Sequence, residues 1–152
     1  MSNTENGFSG SCLCEAVTYE TTAMPMMSVN CYCVDCRKVS GSSHSTHAVM
    51  MGDAVEIKGD VKVYDRPSDH GAVISRAFCE TCGSGVYNLN SNMPAMIFLR
   101  ASTLDDMEIL APSMNVYASR AASWVALDPK LPTHAEMPEA GAEKTIAENS
   151  RK

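Results

Sequence analysis

No stretch of this sequence approaches the roughly 18 to 20 consecutive apolar residues that a membrane span needs. Residues 1–10 lack both the basic start and the apolar run of a secretory signal, so a cytoplasmic location is expected. Lysine and arginine form no block, and the net charge is −6 with a pI near 5.1. That balance argues against nucleic acid as a partner and against an anionic membrane surface. Helical periodicity is scarce, and no segment repeats. Aromatic residues make up only 6% of the chain, whereas methionine occurs 11 times.

What remains is a β pattern. Alternation and β-branched residues predict short strands at 16–19, 46–51, 54–58, 61–65, 72–78, 85–89, 95–100 and 114–118. Gly52-Asp53 and Gly59-Asp60 supply turns between them. A short helical turn is expected over 35–40, closed by Gly41. The length suits one domain, so the expected division is a flexible 1–7, a mainly β domain at 8–135, and a polar, helical or disordered tail at 136–152.

Into this pattern fall seven cysteines in three clusters: Cys12-Leu13-Cys14, Cys31-Tyr32-Cys33-Val34-Asp35-Cys36, and Cys79-Glu80-Thr81-Cys82. In a reducing compartment such clusters bind metal rather than form disulfides, and an odd count fits no disulfide framework. Cys-x-Cys on a strand points both sulfurs to one face, and Cys-x-x-Cys is the spacing of a zinc knuckle. A closed zinc site takes four protein ligands, and an open one takes three. Two partitions satisfy that arithmetic. In the first, Cys12, Cys14, Cys79 and Cys82 form a closed site, with Cys31, Cys33 and Cys36 as an open one. Alternatively, Cys33, Cys36, Cys79 and Cys82 form the closed site, leaving Cys12, Cys14 and Cys31.

An open zinc on three thiolates carries a formal charge of −1, which disfavours making hydroxide and favours a thiol as fourth ligand. The chemistry expected is carbon–sulfur bond making or breaking on a small thiol adduct. The competing reading is a zinc-stabilised binding module without catalysis.

Other residues are weighed around these clusters. Arg37 is a candidate for an anionic substrate group. Ser40 to Ser43 suggest a turn, and His44 and His47 are candidates for acid–base work. His70 and His134 are expected to face solvent, and Asp105-Asp106 reads as a polar turn. Met26-Met27 and Met50-Met51 read as core filler, and Trp124, the only tryptophan, is expected in the core.

At three places the sequence resembles a known family. Gly10-Ser11-Cys12-Leu13-Cys14, the run Cys31 to Cys36 with Arg37, and Phe78-Cys79-Glu80-Thr81-Cys82-Gly83-Ser84 are similar to the signatures of the glutathione-dependent formaldehyde-activating enzyme (GFA) and centromere protein V family. Thr103-Leu104-Asp105-Asp106, Ala122-Ser123-Trp124-Val125 and Leu131-Pro132 resemble further family segments. The resemblance implies an Mss4-like fold of small coiled antiparallel β-sheets stapled by two zinc ions per chain. It implies the first partition, with Cys12, Cys14, Cys79 and Cys82 structural and Cys31, Cys33 and Cys36 catalytic. It further implies condensation of formaldehyde with glutathione to S-(hydroxymethyl)glutathione, a carbon–sulfur lyase activity. Two positions depart from the family pattern: Tyr32, where His is frequent, and Glu15, where Gly is common.

Overall fold

Alternation builds the strands, and their pairing makes two sheets. The computed structural model describes residues 6–138, so most of the segments 1–7 and 136–152 lies outside the described residues. In chain order the strands are β1 (Ser9–Ser11), β2 (Thr18–Thr21), β3 (Met27–Cys31), β4 (Ser45–Met51), β5 (Val55–Lys58), β6 (Val61–Pro67), β7 (Val73–Cys79), β8 (Gly85–Asn90), β9 (Met96–Arg100) and β10 (Met114–Val116). A helix, α1 (Val34–Ser40), follows β3.

The smaller sheet has the antiparallel order β1-β2-β5, and the larger runs β10-β3-β4-β9-β8-β7-β6. Every pair in the larger sheet is antiparallel except β10 with β3. The architecture is therefore mainly β, as the sequence implies. Residues 132–136 run beside β10 and exchange backbone hydrogen bonds with Asn115, Tyr117, Ala118 and Ser119.

Successive side chains alternate faces, so the larger sheet buries two different sets. One face contributes Ala48, Met50, Val86, Ile97 and Leu99, which pack with Val17, Tyr19 and Phe8 of the smaller sheet's layer. Burying each large apolar side chain there contributes roughly 1.5–3 kcal/mol. The opposite face presents Met27, Cys31, Val49, Met114 and Val116, with Phe98 half-buried against them.

Sequence patterning missed β1 and β3. Ser9-Gly10-Ser11 has no β-branched residue. β3 alternates Met27-Ser28-Val29-Asn30-Cys31 but holds a single β-branched residue, and its buried Asn30 donates a side-chain hydrogen bond of 3.0 Å to Asn115 Oδ1. Trp124 corrects another expectation. It is 79% exposed rather than part of the core, because the segment carrying it is a surface turn outside both sheets.

Candidate functional site

The first cysteine group is assembled from two distant hairpin ends. Cys12 follows β1, and its Sγ accepts the Val17 N–H at 3.3 Å. Glu15 closes that turn with φ +63°, a left-handed conformation that glycine adopts without penalty. Across the sheet, Gly83 takes φ +78° and donates its N–H to the Cys79 carbonyl, closing the knuckle.

Sγ of Cys14 then stands 3.7 Å from Sγ of both Cys12 and Cys79. Four thiolates held about 2.3 Å from one tetrahedral ion stand roughly 3.8 Å apart, so the spacing fits a metal. The four sulfurs lie within 4.8 Å of one another, and the group could hold an ion. Ser84 supports it: its hydroxyl meets Cys82 Sγ at 3.2 Å and accepts the Leu13 N–H at 3.1 Å. That hydroxyl, with backbone N–H groups, pulls the Cys82 thiol down to about 5.

The second group is local. Cys31 ends β3, Cys33 caps α1, and Cys36 lies one turn into the helix. The Cys33 thiol accepts the Cys36 N–H at 3.3 Å, and Gly41 with φ +68° ends the helix. These three sulfurs also lie within 4.8 Å of one another and could hold an ion. Hydrogen bonds from Cys31 and Cys36, then backbone N–H groups, lower Cys33 to about 2, while the crowding of the other two sulfurs raises Cys31. Three adjacent thiols ionise together only when a cation compensates them. The cross-pairing of Cys33 and Cys36 with Cys79 and Cys82 is not formed.

The two groups differ in what they face. Cys31, Cys33 and Cys36 line an open cavity of about 1000 Å³, and none of Cys12, Cys14, Cys79 and Cys82 lines it. The cavity floor is one face of the larger sheet, and α1 closes one side. His47 and Val49, two apart on β4, both point there. His47 Nε2 is 3.7 Å from Cys36 Sγ, and its buried Nδ1 has no partner among the described residues. Burial, reinforced by Arg100, lowers His47 to about 3, so the ring is neutral. Arg100, paired with His47 across β4 and β9, donates to Ser45 Oγ at 3.2 Å. Its charge lies beside Cys36 and Cys31.

Other expected residues lie elsewhere. Arg37 is on α1 but is not among the residues lining the cavity. Tyr32 and His44 stack on each other, ring centres 4.8 Å apart, and neither lines the cavity. Ser40 bonds the carbonyls of Arg37 and His44, so the serine-rich stretch closes the helix. Asp105 accepts from Ser9 Oγ at 2.6 Å, tying its turn to β1.

In place of Arg37, the cavity receives Arg76 and Arg66, both ion-paired to Asp35 at 3.7 and 3.3 Å. Sequence reasoning missed Arg76 and Arg100. The available signal was a lone charge inside an otherwise apolar strand, Ile74-Ser75-Arg76-Ala77-Phe78 and Met96-Ile97-Phe98-Leu99-Arg100.

No helix among the described residues is long and apolar enough to cross a membrane. Comparison with known proteins finds a family model described as glutathione-dependent formaldehyde-activating enzyme, matching residues 7–120. No curated protein matches. Among solved structures, a crystal structure of a Rhodobacter sphaeroides protein is similar in fold. It is 16% identical, with a TM-score of 0.53, and the match covers 82% of this chain and 98% of that one.

Proposed function

This chain belongs to the glutathione-dependent formaldehyde-activating enzyme family, and from that premise we propose that it is a zinc-dependent carbon–sulfur lyase-type enzyme acting on a small thiol adduct. The reaction that fits the family is glutathione plus formaldehyde giving S-(hydroxymethyl)glutathione. One observation carries the reading. Only the three-thiol group opens onto the cavity, while the four-thiol group lies away from it. A four-sulfur set fits a closed, structural zinc, and a three-sulfur set fits an open one.

Cys31, Cys33 and Cys36 would hold the zinc, which when bound would supply thiol activation by favouring the nucleophilic thiolate of an incoming thiol. In the addition, a bond forms between the thiol sulfur and the carbonyl carbon, the carbonyl π bond breaks, and the oxygen gains a proton. The thiol proton must leave the sulfur. Solvent in the open cavity takes that proton and protonates the developing alkoxide, while His47, kept neutral by burial, stands with Nε2 3.7 Å from Cys36 Sγ and positions that sulfur. Arg100 sets its charge against the −1 of three thiolates and a divalent ion. Arg76 receives a carboxylate of the thiol.

Exchange NMR on glutathione and formaldehyde tests the reading. The zinc-loaded protein should accelerate adduct formation and Cys33→Ser should not. Thiol binding by calorimetry with no acceleration for any aldehyde would instead support a binding module.

A further inference from the structure

The cavity floor changes character along a single row of paired residues. Met27 pairs with Val49, Val49 with Phe98, Phe98 with Asn88, and Asn88 with Arg76. All five line the cavity. Three apolar residues are followed by an amide and a guanidinium. Four strand spacings of about 4.8 Å make that row roughly 19 Å long.

Methionine walls the apolar end. Met27, Met93, Met114 and Met137 line the cavity, and Met93 and Met137 are only partly buried there. Met26 and Met96 pack against the same cluster. Among the described residues, the core between the two sheets holds a single methionine, Met50. Unbranched thioethers adapt to apolar groups of varied shape, which suits a binding wall better than a fixed core.

The other end is cationic. Arg76 is only 7% exposed, lines the cavity, and has a buried Nε without a partner among the described residues. Its ion pair is with Asp35, which Arg66 shares. Asp69, the other acid lining the cavity, is held by Arg120 at 2.9 Å, so one carboxylate between two guanidiniums leaves a positive charge uncompensated and a buried donor unfilled.

We propose that this cavity takes an amphipathic thiol conjugate, with an anionic group on Arg76 and an apolar substituent of several carbons against Met93, Met114 and Met137. The inference rests on the thiol-adduct reading and extends it to the carbonyl partner. A one-carbon adduct buries almost no apolar surface on such a wall, whereas a longer alkyl or aryl group covers it. The preferred electrophile is therefore a larger apolar carbonyl compound.

The test uses inert thioethers, so binding does not depend on turnover. Calorimetry on the zinc-loaded full chain compares S-methylglutathione with S-hexylglutathione. The hexyl conjugate should bind at least tenfold more tightly, and Met93→Gln should narrow that ratio severalfold. The diethyl ester of S-hexylglutathione should bind at least tenfold more weakly than the free acid, which reads the anionic contact without altering buried Arg76. Equal affinity of the methyl and hexyl conjugates, an undiminished ester, or no binding of either conjugate overturns the inference. Formaldehyde exchange on the same sample separates the two claims. Activity with equal methyl and hexyl affinities sinks the inference alone, and a hexyl preference without activity towards any aldehyde sinks the enzyme reading alone.

Discussion

Cys14 Sγ lies 3.7 Å from Cys79 Sγ, although 65 residues of chain separate them. The contact joins the end of β1 to the end of β7, and so fastens the smaller sheet to the larger. Both Cys12 and Cys79 belong to the core between the sheets.

Losing that junction should therefore cost the fold. A structural zinc contributes on the order of 10 kcal/mol, comparable to the net stability of a whole domain. Cys79→Ser is expected to unfold or aggregate. Cys33→Ser is expected to remain folded, because serine caps a helix as well as the thiol does, while the second metal is lost. Thermal melts with metal content per chain check this, and equal destabilisation would contradict the division of labour.

Glu15 occupies left-handed backbone at φ +63°. A non-glycine residue there is strained by about 1–2 kcal/mol. Glu15→Gly should leave stability unchanged or raise it by up to about 1 kcal/mol, after the entropy of a freer unfolded chain is subtracted. Glu15→Val, β-branched, should lower it by about 1 kcal/mol or more. Urea denaturation of the metal-loaded proteins measures both.

A Cβ at Gly10 would collide with the Tyr19 hydroxyl and ring and with the Thr103 carbonyl. Neither can withdraw easily, since Tyr19 is buried and its hydroxyl bonds Thr103 Oγ1 at 2.8 Å. Gly10→Ala should cost about 2 kcal/mol or more through overpacking, with a fall in melting temperature as the readout.

Acid should release the metal from the four-cysteine group as protons reclaim the thiolates. The Cys82 thiol is lowered to about 5, chiefly by the Ser84 hydroxyl. A lowered value stabilises the folded thiolate form above the unfolded thiol's range, and that contribution disappears as pH falls through the folded value. Ser84→Ala removes the donor, so release should begin at higher pH, by on the order of half a unit. A colorimetric zinc indicator followed through an acid titration would show it, and an unshifted curve would count against the role of Ser84.

Much of this was legible locally. The Cys31 to Cys36 group needs only a strand end and the first turn of α1, so its spacing reveals it. Gly41 and Gly83 announce their turns because each requires positive φ. Eight of the strands follow from alternation or β-branching. Trp124 departs from the expectation of burial because size and apolarity favour burial only where an element delivers the side chain to a core. Arg37 stands out in the sequence because it follows a cysteine, whereas Arg76 reaches the cavity only through pairing across strands.

The sequence by itself determined the cysteine inventory, the β architecture and the local thiol triad, since these depend on residue type and short spacing. Only the tertiary structure decided that Cys12 and Cys14 meet Cys79 and Cys82, and that Met27, Val49, Phe98, Asn88 and Arg76 form one row from apolar to cationic. Strand register sets both. It arises from long-range pairing that buries one face of each strand, and a shift of one residue would turn every one of those side chains to the opposite side.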